Sequence, residues 1–157
     1  MSSATPILAI TCDEKLSGLL RSTVRDELGQ TGRIVVTPSV EEACRLLKAA
    51  RPRLIVFHFT GETGRYEQLD QLLWATSVVT RRTPIVVVAD RYRIDQATMM
   101  YRMGVSEYVS RKNHLDQLAD VLGAYLRPLT LPAADQSSRS NGWAGVSRTS
   151  AVAAQVV

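Results

Sequence analysis

The sequence predicts an α/β domain in which one parallel, five-stranded sheet is covered by helices on both faces. Short apolar runs alternate along the chain with stretches whose apolar residues recur at spacings of three and four. The runs are almost continuously apolar, as strands buried on both faces require. The length of 157 residues suits one compact core and leaves little room for a second.

Pro6 to Thr11 (PILAIT) reads as the first strand. From Glu14 to Leu28 the residues Leu16, Leu19, Leu20, Val24 and Leu28 form one apolar stripe, and Gly29 supplies a stop, so this stretch is an amphipathic helix. Arg33 to Thr37 reads as a second strand. Pro38 and Ser39 then open a helix with Glu41 and Glu42 in its first turn, where carboxylates complement the helix dipole, and with Val40, Ala43, Leu46 and Leu47 facing the core.

Leu54 to Phe59 (LIVFHF) is the most hydrophobic strand candidate and is expected at the centre of the sheet, followed by a glycine-containing loop over Thr60 to Gly64. Tyr66 to about Val79 is helical by the spacing of Leu69, Leu72, Leu73 and Ser77, and Pro84 to Ala89 is the fourth strand. Ile94 to Met103 is a helix ended by Gly104. Tyr108 and Val109 centre a fifth strand. Asn113 is the expected N-cap of a last helix, buried along Leu115, Leu118, Val121, Leu122 and Tyr125 and ended by Pro128.

Parallel strands need crossover helices and right-handed connections, so the expected arrangement is a flavodoxin-like, doubly wound (βα)5 sandwich in strand order 2-1-3-4-5. Residues 1–128 form this domain. From Leu129 onward periodicity vanishes, and 129–157 reads as a flexible tail containing a lone aromatic, Trp143, which is either a partner anchor or incidental. Trp74 and Tyr101 fall within helices, where core or partial-core packing is expected.

Hydrophobic residues make up 45% of the chain and charged ones 22%, an ordinary globular balance that excludes a disordered or collagen-like class. The net charge of +4 comes from Lys and Arg spread along the chain without a dense basic run. With no helix-turn-helix or zinc-finger spacing, nucleic-acid binding by this domain alone is not expected. Cys12 and Cys44 lie in separate elements, which indicates neither a disulfide framework nor a zinc site and fits a reducing cytoplasm. No charged leader or membrane-length apolar run is present, so a cytoplasmic protein without membrane contact is expected.

Over about residues 6 to 127 the order of elements resembles the receiver domain of bacterial two-component response regulators. Pro52 to His58 (PRLIVFH) is similar to the family's third strand, and Thr83 to Val88 (TPIVVV) to its fourth. Met103 to Val109 (MGVSEYV) is similar to the segment written A-G-A-x-x-Y-L, the most specific of the three.

The resemblance implies a phosphoacceptor aspartate ending the third strand, an acidic pair after the first to hold magnesium, Ser or Thr ending the fourth, and Lys after the fifth. Carboxylates hold the hard cation, which neutralises the transferring phosphoryl group that the lysine and hydroxyl then contact. Here the third-strand position carries His58, the acidic pair falls on Thr11 and Cys12 with Asp13 beside them, the hydroxyl position is Ala89 and the lysine position is Arg111. A one-residue shift would set Asp13 and Glu14 on the acidic pair and Lys112 on the lysine, but residues 53 to 60 contain no aspartate. The expectation is therefore a pseudo-receiver: no catalysis, no cofactor, no metal, and phosphorylation-independent signalling through protein contacts, in transcription control or another output.

Strand ends in such folds also bring Cys12, His58 and Asp90 to one crevice. Thiol, imidazole and carboxylate together invite three alternatives: a cysteine nucleophile activated by histidine, a zinc or copper ligand set, or a small redox sensor. No oxyanion-hole signature or metal-ligand spacing accompanies them, so a small buried hydrophobe at Cys12 and a hydrogen-bonded filler at His58 are expected instead. A phosphorylatable receiver with an unusual acceptor, and a fragment of a longer regulator, stay open.

Arg91, Arg93, Arg102, Arg111, Lys112 and Arg127 cluster in the last third of the chain. Taken alone they are a solvated basic face. Receiver relatives use the surface of the fourth helix, fifth strand and fifth helix for dimers and output partners. The resemblance thus implies an interaction face at Arg91, Arg102, Tyr108, Arg111 and Lys112, serving a homodimer or a regulatory complex. Tyr108 matches the family's aromatic switch residue and, without a phosphate, is expected to be a fixed packing or interface residue.

Overall fold

The apolar runs become strands in the computed structural model, which describes residues 7–60, 65–77, 82–113 and 115–127. The elements are β1 (Ile7–Ile10), α1 (Glu14–Leu28), β2 (Ile34–Thr37), α2 (Val40–Ala49), β3 (Leu54–Phe59), α3 (Arg65–Ser77), β4 (Ile85–Ala89), α4 (Ile94–Met103), β5 (Glu107–Ser110) and α5 (Leu115–Leu126). All strand pairs are parallel, in the order β2-β1-β3-β4-β5, so the expected topology is the observed one. The expected tail, 129–157 with Trp143, and the loop residues 61–64 lie outside the described residues.

Strand alternation sorts the core into two layers. Leu8, Ile10, Ile55, Phe57, Ile85 and Val87 pack towards α2, α3 and α4 with Leu69, Leu72 and Met100. Ile7, Ala9, Leu54, Val56, Val86 and Val88 pack towards α1 and α5 with Leu16, Leu20, Leu118 and Leu122. Each fully buried aliphatic side chain contributes about 1.5–3 kcal/mol, so most of the stability of these short strands comes from this two-sided burial.

α1 and α4 keep the expected bounds because their end signals are local. Ser39 caps α2 by accepting from the Glu42 N–H. Gly104 ends α4 at φ 106°, a left-handed conformation in which its N–H reaches the Met100 and Tyr101 carbonyls. A Cβ at Gly104 would meet nothing closer than Arg82 Nη1 at 3.9 Å. Gly104→Ala is therefore expected to cost about 1 kcal/mol of purely conformational strain, read as a lowered urea midpoint at unchanged slope.

Four packing expectations are corrected. Trp74 is 67% exposed and Tyr101 47%, so neither is a core residue. On α3 the buried position is Thr76, whose hydroxyl donates to the Leu73 carbonyl, and Ser77 is exposed. Asn113 does not cap α5; it sits in the preceding turn, two residues before the helix, with its N–H donating to Ser110 Oγ. Leu126 joins Leu118 and Leu122 as the buried stripe of α5, while Val121 and Tyr125 are only partly covered.

Candidate functional site

The carboxyl ends of β1, β3 and β4 frame an open cleft of about 320 Å³. It is lined by Thr11, Cys12, Asp13, Pro38, His58, Thr60, Arg65 and Asp90. Parallel strands end together on this rim, and side chains just past the last ladder bond point into the space that the loops leave open.

Register decides what meets there. Ile10 pairs with Phe57, so the next residues, Thr11 and His58, stand side by side. His58 is 7% exposed. Its Nδ1 lies 3.0 Å from Thr11 Oγ1 and its Nε2 3.2 Å from Asp90 Oδ1. The Asp90 carboxylate only accepts, so Nε2 carries a proton and, in the neutral ring, Nδ1 accepts from the Thr11 hydroxyl. Thr11 Oγ1 in turn accepts from the Asp13 N–H at 3.0 Å. One directional chain of hydrogen bonds thus runs from the β1–α1 turn through His58 to the residue after β4.

Asp13 does two jobs. Its Oδ1 caps α1 by accepting from the Leu16 N–H at 2.9 Å, and its Oδ2 accepts from Arg111 Nη1 at 2.6 Å. The Leu16 bond first and the Arg111 bond second lower its pKa from 3.8 to about 2. Arg111 Nη1 also lies 3.7 Å from Asp90 Oδ1, a looser ion pair.

Because the folded pKa of Asp13 is depressed, the native state binds fewer protons there. Its stabilisation is complete above about pH 4, where an unfolded aspartate is ionised, and is lost as the pH falls through about 2. The pair is partly exposed, with Arg111 and Asp13 side chains at 25% and 31%. After allowance for solvent screening, Arg111→Ala is expected to cost about 1 kcal/mol at neutral pH and clearly less at about pH 2, where the folded-state Asp13 is half protonated. Urea titrations of both proteins at the two pH values measure this difference.

The structure brings together Thr11, Cys12, Asp13, His58 and Asp90, with Arg111 reaching in from the end of β5. Lys112 is exposed, and it is Arg111 that contacts Asp13 and Asp90, while Asp13, the first acidic residue of the shifted alignment, lines the cleft. Ala89 ends β4 buried, opposite Phe59, and brings no hydroxyl. Cys12 is exposed rather than the small buried hydrophobe expected. Among the described residues its thiol donates to the Pro38 carbonyl at 3.5 Å and not to His58, so the thiol–imidazole pairing weighed above is not formed.

Thr60 and Arg65 are cleft residues that the sequence did not single out. Arg65 opens α3, where its Nη1 donates to Gln68 Oε1 at 3.0 Å. No spacing rule marks a lone arginine after a loop.

The donor set does not fit a magnesium ion. Both Asp13 oxygens are engaged, Asp90 faces an imidazole and a guanidinium, and among the described residues no three His, Cys, Asp or Glu side chains are grouped to hold a metal.

On the α4 and β5 side, Arg91, Arg102 and Lys112 are exposed, whereas Arg111 belongs to the cleft. Tyr108 is buried beneath this face at 3% exposure and touches no surface. Its hydroxyl faces Gln96 Oε1 at 3.1 Å and the Arg91 carbonyl at 3.3 Å, sharing one proton between them. Burial raises its pKa, which keeps it a donor. Ile94, Met99, Tyr101 and Tyr92 are exposed on α4 and the turn before it.

Neither a family model nor a curated protein matches the sequence. Solved structures do match. The phosphorylated cyanobacterial phytochrome response regulator RcpA is 20% identical at TM-score 0.60, with 76% of this chain and 89% of that one covered. HP1043, an orphan response regulator of H. pylori, is 15% identical at TM-score 0.63, with 80% and 98% covered. The chain has the receiver fold. The pilus assembly protein CpaE from Caulobacter crescentus CB15 is also similar, at 21% identity and TM-score 0.62, with 82% and 100% covered. At these identities the shared property is the receiver fold itself. No helix among the described residues is long and apolar enough to cross a membrane.

Proposed function

We propose that this receiver-fold domain is a regulatory module that signals without phosphorylation and without catalysis, through contacts with protein partners. The observation that carries this reading is the placement of His58. It is the last residue but one of β3, at the carboxyl end where receiver domains hold their acceptor aspartate, and both its ring nitrogens are engaged, by Thr11 and by Asp90. Arg111 draws on Asp13 and Asp90, the two carboxylates a cation would need. An imidazole does not form the acyl phosphate of an aspartate, and Thr11 and Cys12 are poor magnesium ligands beside a carboxylate pair.

The contact surface in this reading is the α4–β5–α5 face. Exposed Ile94, Met99 and Tyr101 lie beside the cations Arg91, Arg102 and Lys112, a mixture of apolar anchors and peripheral charge suited to a second copy or to an output protein. A role in transcription control is one such output.

The test is exposure of the full chain to acetyl phosphate with magnesium, followed by intact-mass measurement and tryptophan fluorescence. Unchanged mass and emission are expected. A stable phosphoryl adduct with a changed emission would overturn the proposal in favour of a receiver with an unusual acceptor.

A further inference from the structure

A second surface, sharing no lining residue with the cleft, lies at the β2 edge of the sheet. β2 is one of the two edge strands and, among the described residues, pairs only with β1. Arg33 and Thr37 use their carbonyls to accept from the Ile7 and Thr11 N–H groups. Backbone groups alternate in direction along a strand, so the N–H and C=O of Ile34 and Val36 point away from the sheet. Among the described residues no strand takes them. An open edge of this kind is a template for another extended chain.

The two faces of that edge differ in chemistry. Towards α1 runs a groove of about 490 Å³ lined by Arg21, Arg25 and Arg33 with Val24, Ile34 and Val35. All three arginines are exposed and, among the described residues, have no ion-pair partner; no carboxylate lines the groove. Arg25 lies in the last turn of α1, where a cation complements the helix dipole, but that accounts for one arginine of the three. Gly32 brings the third into place. A Cβ there would lie 2.9 Å from Val24 Cγ1 and 3.1 Å from the Val24 carbonyl oxygen, so only glycine lets the chain turn against α1 and start β2 with Arg33 beside Arg25. Towards α2, Leu8, Val35, Leu46, Ala50 and Pro52 form a shallow dimple with a wholly apolar lining, Val35 being shared with the groove. Val35 is 39% exposed there.

We propose that the β2 edge is a docking site for an extended, acidic segment of a partner protein, which adds to the sheet as a further strand. Alternate side chains of an added strand fall on opposite faces. One set, carboxylates, reaches Arg21, Arg25 and Arg33; the other, small and apolar, covers Val35 and the dimple. The outward main-chain groups of Ile34 and Val36 supply the pairing. A second copy of this chain is disfavoured as occupant, because edge-to-edge pairing would bring two sets of unpaired arginines together. A nucleic acid would satisfy the arginines but leave the dimple and the strand edge uncovered. This surface shares no lining residue with the cleft, so the outcome below is independent of the response to acetyl phosphate.

The test is fluorescence anisotropy with the full chain and a short labelled peptide of alternating Asp and Val. Saturable binding is expected, weakened roughly tenfold or more by the double charge reversal Arg25→Glu with Arg33→Glu. Arg25→Gln with Arg33→Gln gives a milder loss if the reversal perturbs folding, which circular dichroism reports. The same peptide N-methylated at alternate residues, unable to pair with a strand, is expected to bind roughly tenfold more weakly. Absence of saturable binding would overturn the proposal. So would equal binding by the charge-reversed protein, equal binding of the methylated peptide, or tighter binding of a single-stranded oligonucleotide than of the peptide.

Discussion

Replacing Phe57 with alanine is expected to lower folding stability by about 3–5 kcal/mol, the largest effect of any substitution considered for this chain. Phe57 is fully buried in the middle of β3, between Ile10 of β1 and Val87 of β4, and faces the layer made by α2, α3 and α4. A void there cannot close, because both neighbouring strands are held by their own ladders and the helices above rest on several other side chains. Domains of this size are stable by about 5–15 kcal/mol, so the loss is a large part of the total. Phe57→Leu, which keeps most of the volume, is expected to lose about 1–2 kcal/mol. Urea denaturation at neutral pH measures both. An alanine variant within about 1 kcal/mol of the parent would mean that β3 is not the centre of the packing.

His58→Ala is expected to cost about 2–3 kcal/mol. The loss has two sources: removal of a buried ring, and removal of both its hydrogen-bond partners' contacts. The Thr11 hydroxyl keeps the Asp13 N–H as a donor but loses the acceptor for its own proton, and Asp90 loses the imidazole N–H. His58→Asn can keep the near contact to Thr11 but cannot span to Asp90, so about half of the loss should return. Amide exchange distinguishes this network from simple packing. Freed from His58, Asp90 should loosen the turn into α4, and the Arg91 and Tyr92 amides should exchange faster in the alanine variant. Unchanged exchange there, with stability lost all the same, would show that His58 acts only as a space filler.

Much of the fold was legible because its signals are local. α1 runs from the Asp13 cap to Gly29, and α4 ends at a glycine whose left-handed φ other residues adopt only under strain. β3 is apolar but for His58 and had to be central. The misplacements have one cause: helical spacing defines a stripe but not how much of it the neighbouring elements cover. Trp74 and Tyr101 sit inside helices but turn to solvent, and Thr76 rather than Ser77 continues the buried Leu69 and Leu72 line at a spacing of four, although both hydroxyls return to a carbonyl three residues back. Asn113 is a good capping residue one position too early.

The cleft was partly legible. Strand ends in a doubly wound sheet converge, which placed Cys12, His58 and Asp90 together. Directions were not legible, since they depend on register and loop paths. The thiol turns to Pro38, Thr11 rather than Cys12 meets the imidazole, and Arg111 crosses from β5 to Asp13. Arg65 was invisible because the loop before α3 carries no periodic pattern.

Arg127 ties the end of α5 to two other elements. Its guanidinium donates to Glu27 at the end of α1, and its carbonyl accepts from Arg53 just before β3. Both anchors sit at the amino-terminal rim of the sheet, opposite the His58 cleft. With β3 six residues long and about 3.3 Å per residue, the Arg127 anchor sits roughly 20 Å from that cleft. The His58 pole and the Arg127 pole can therefore be altered separately, one at each end of the strands.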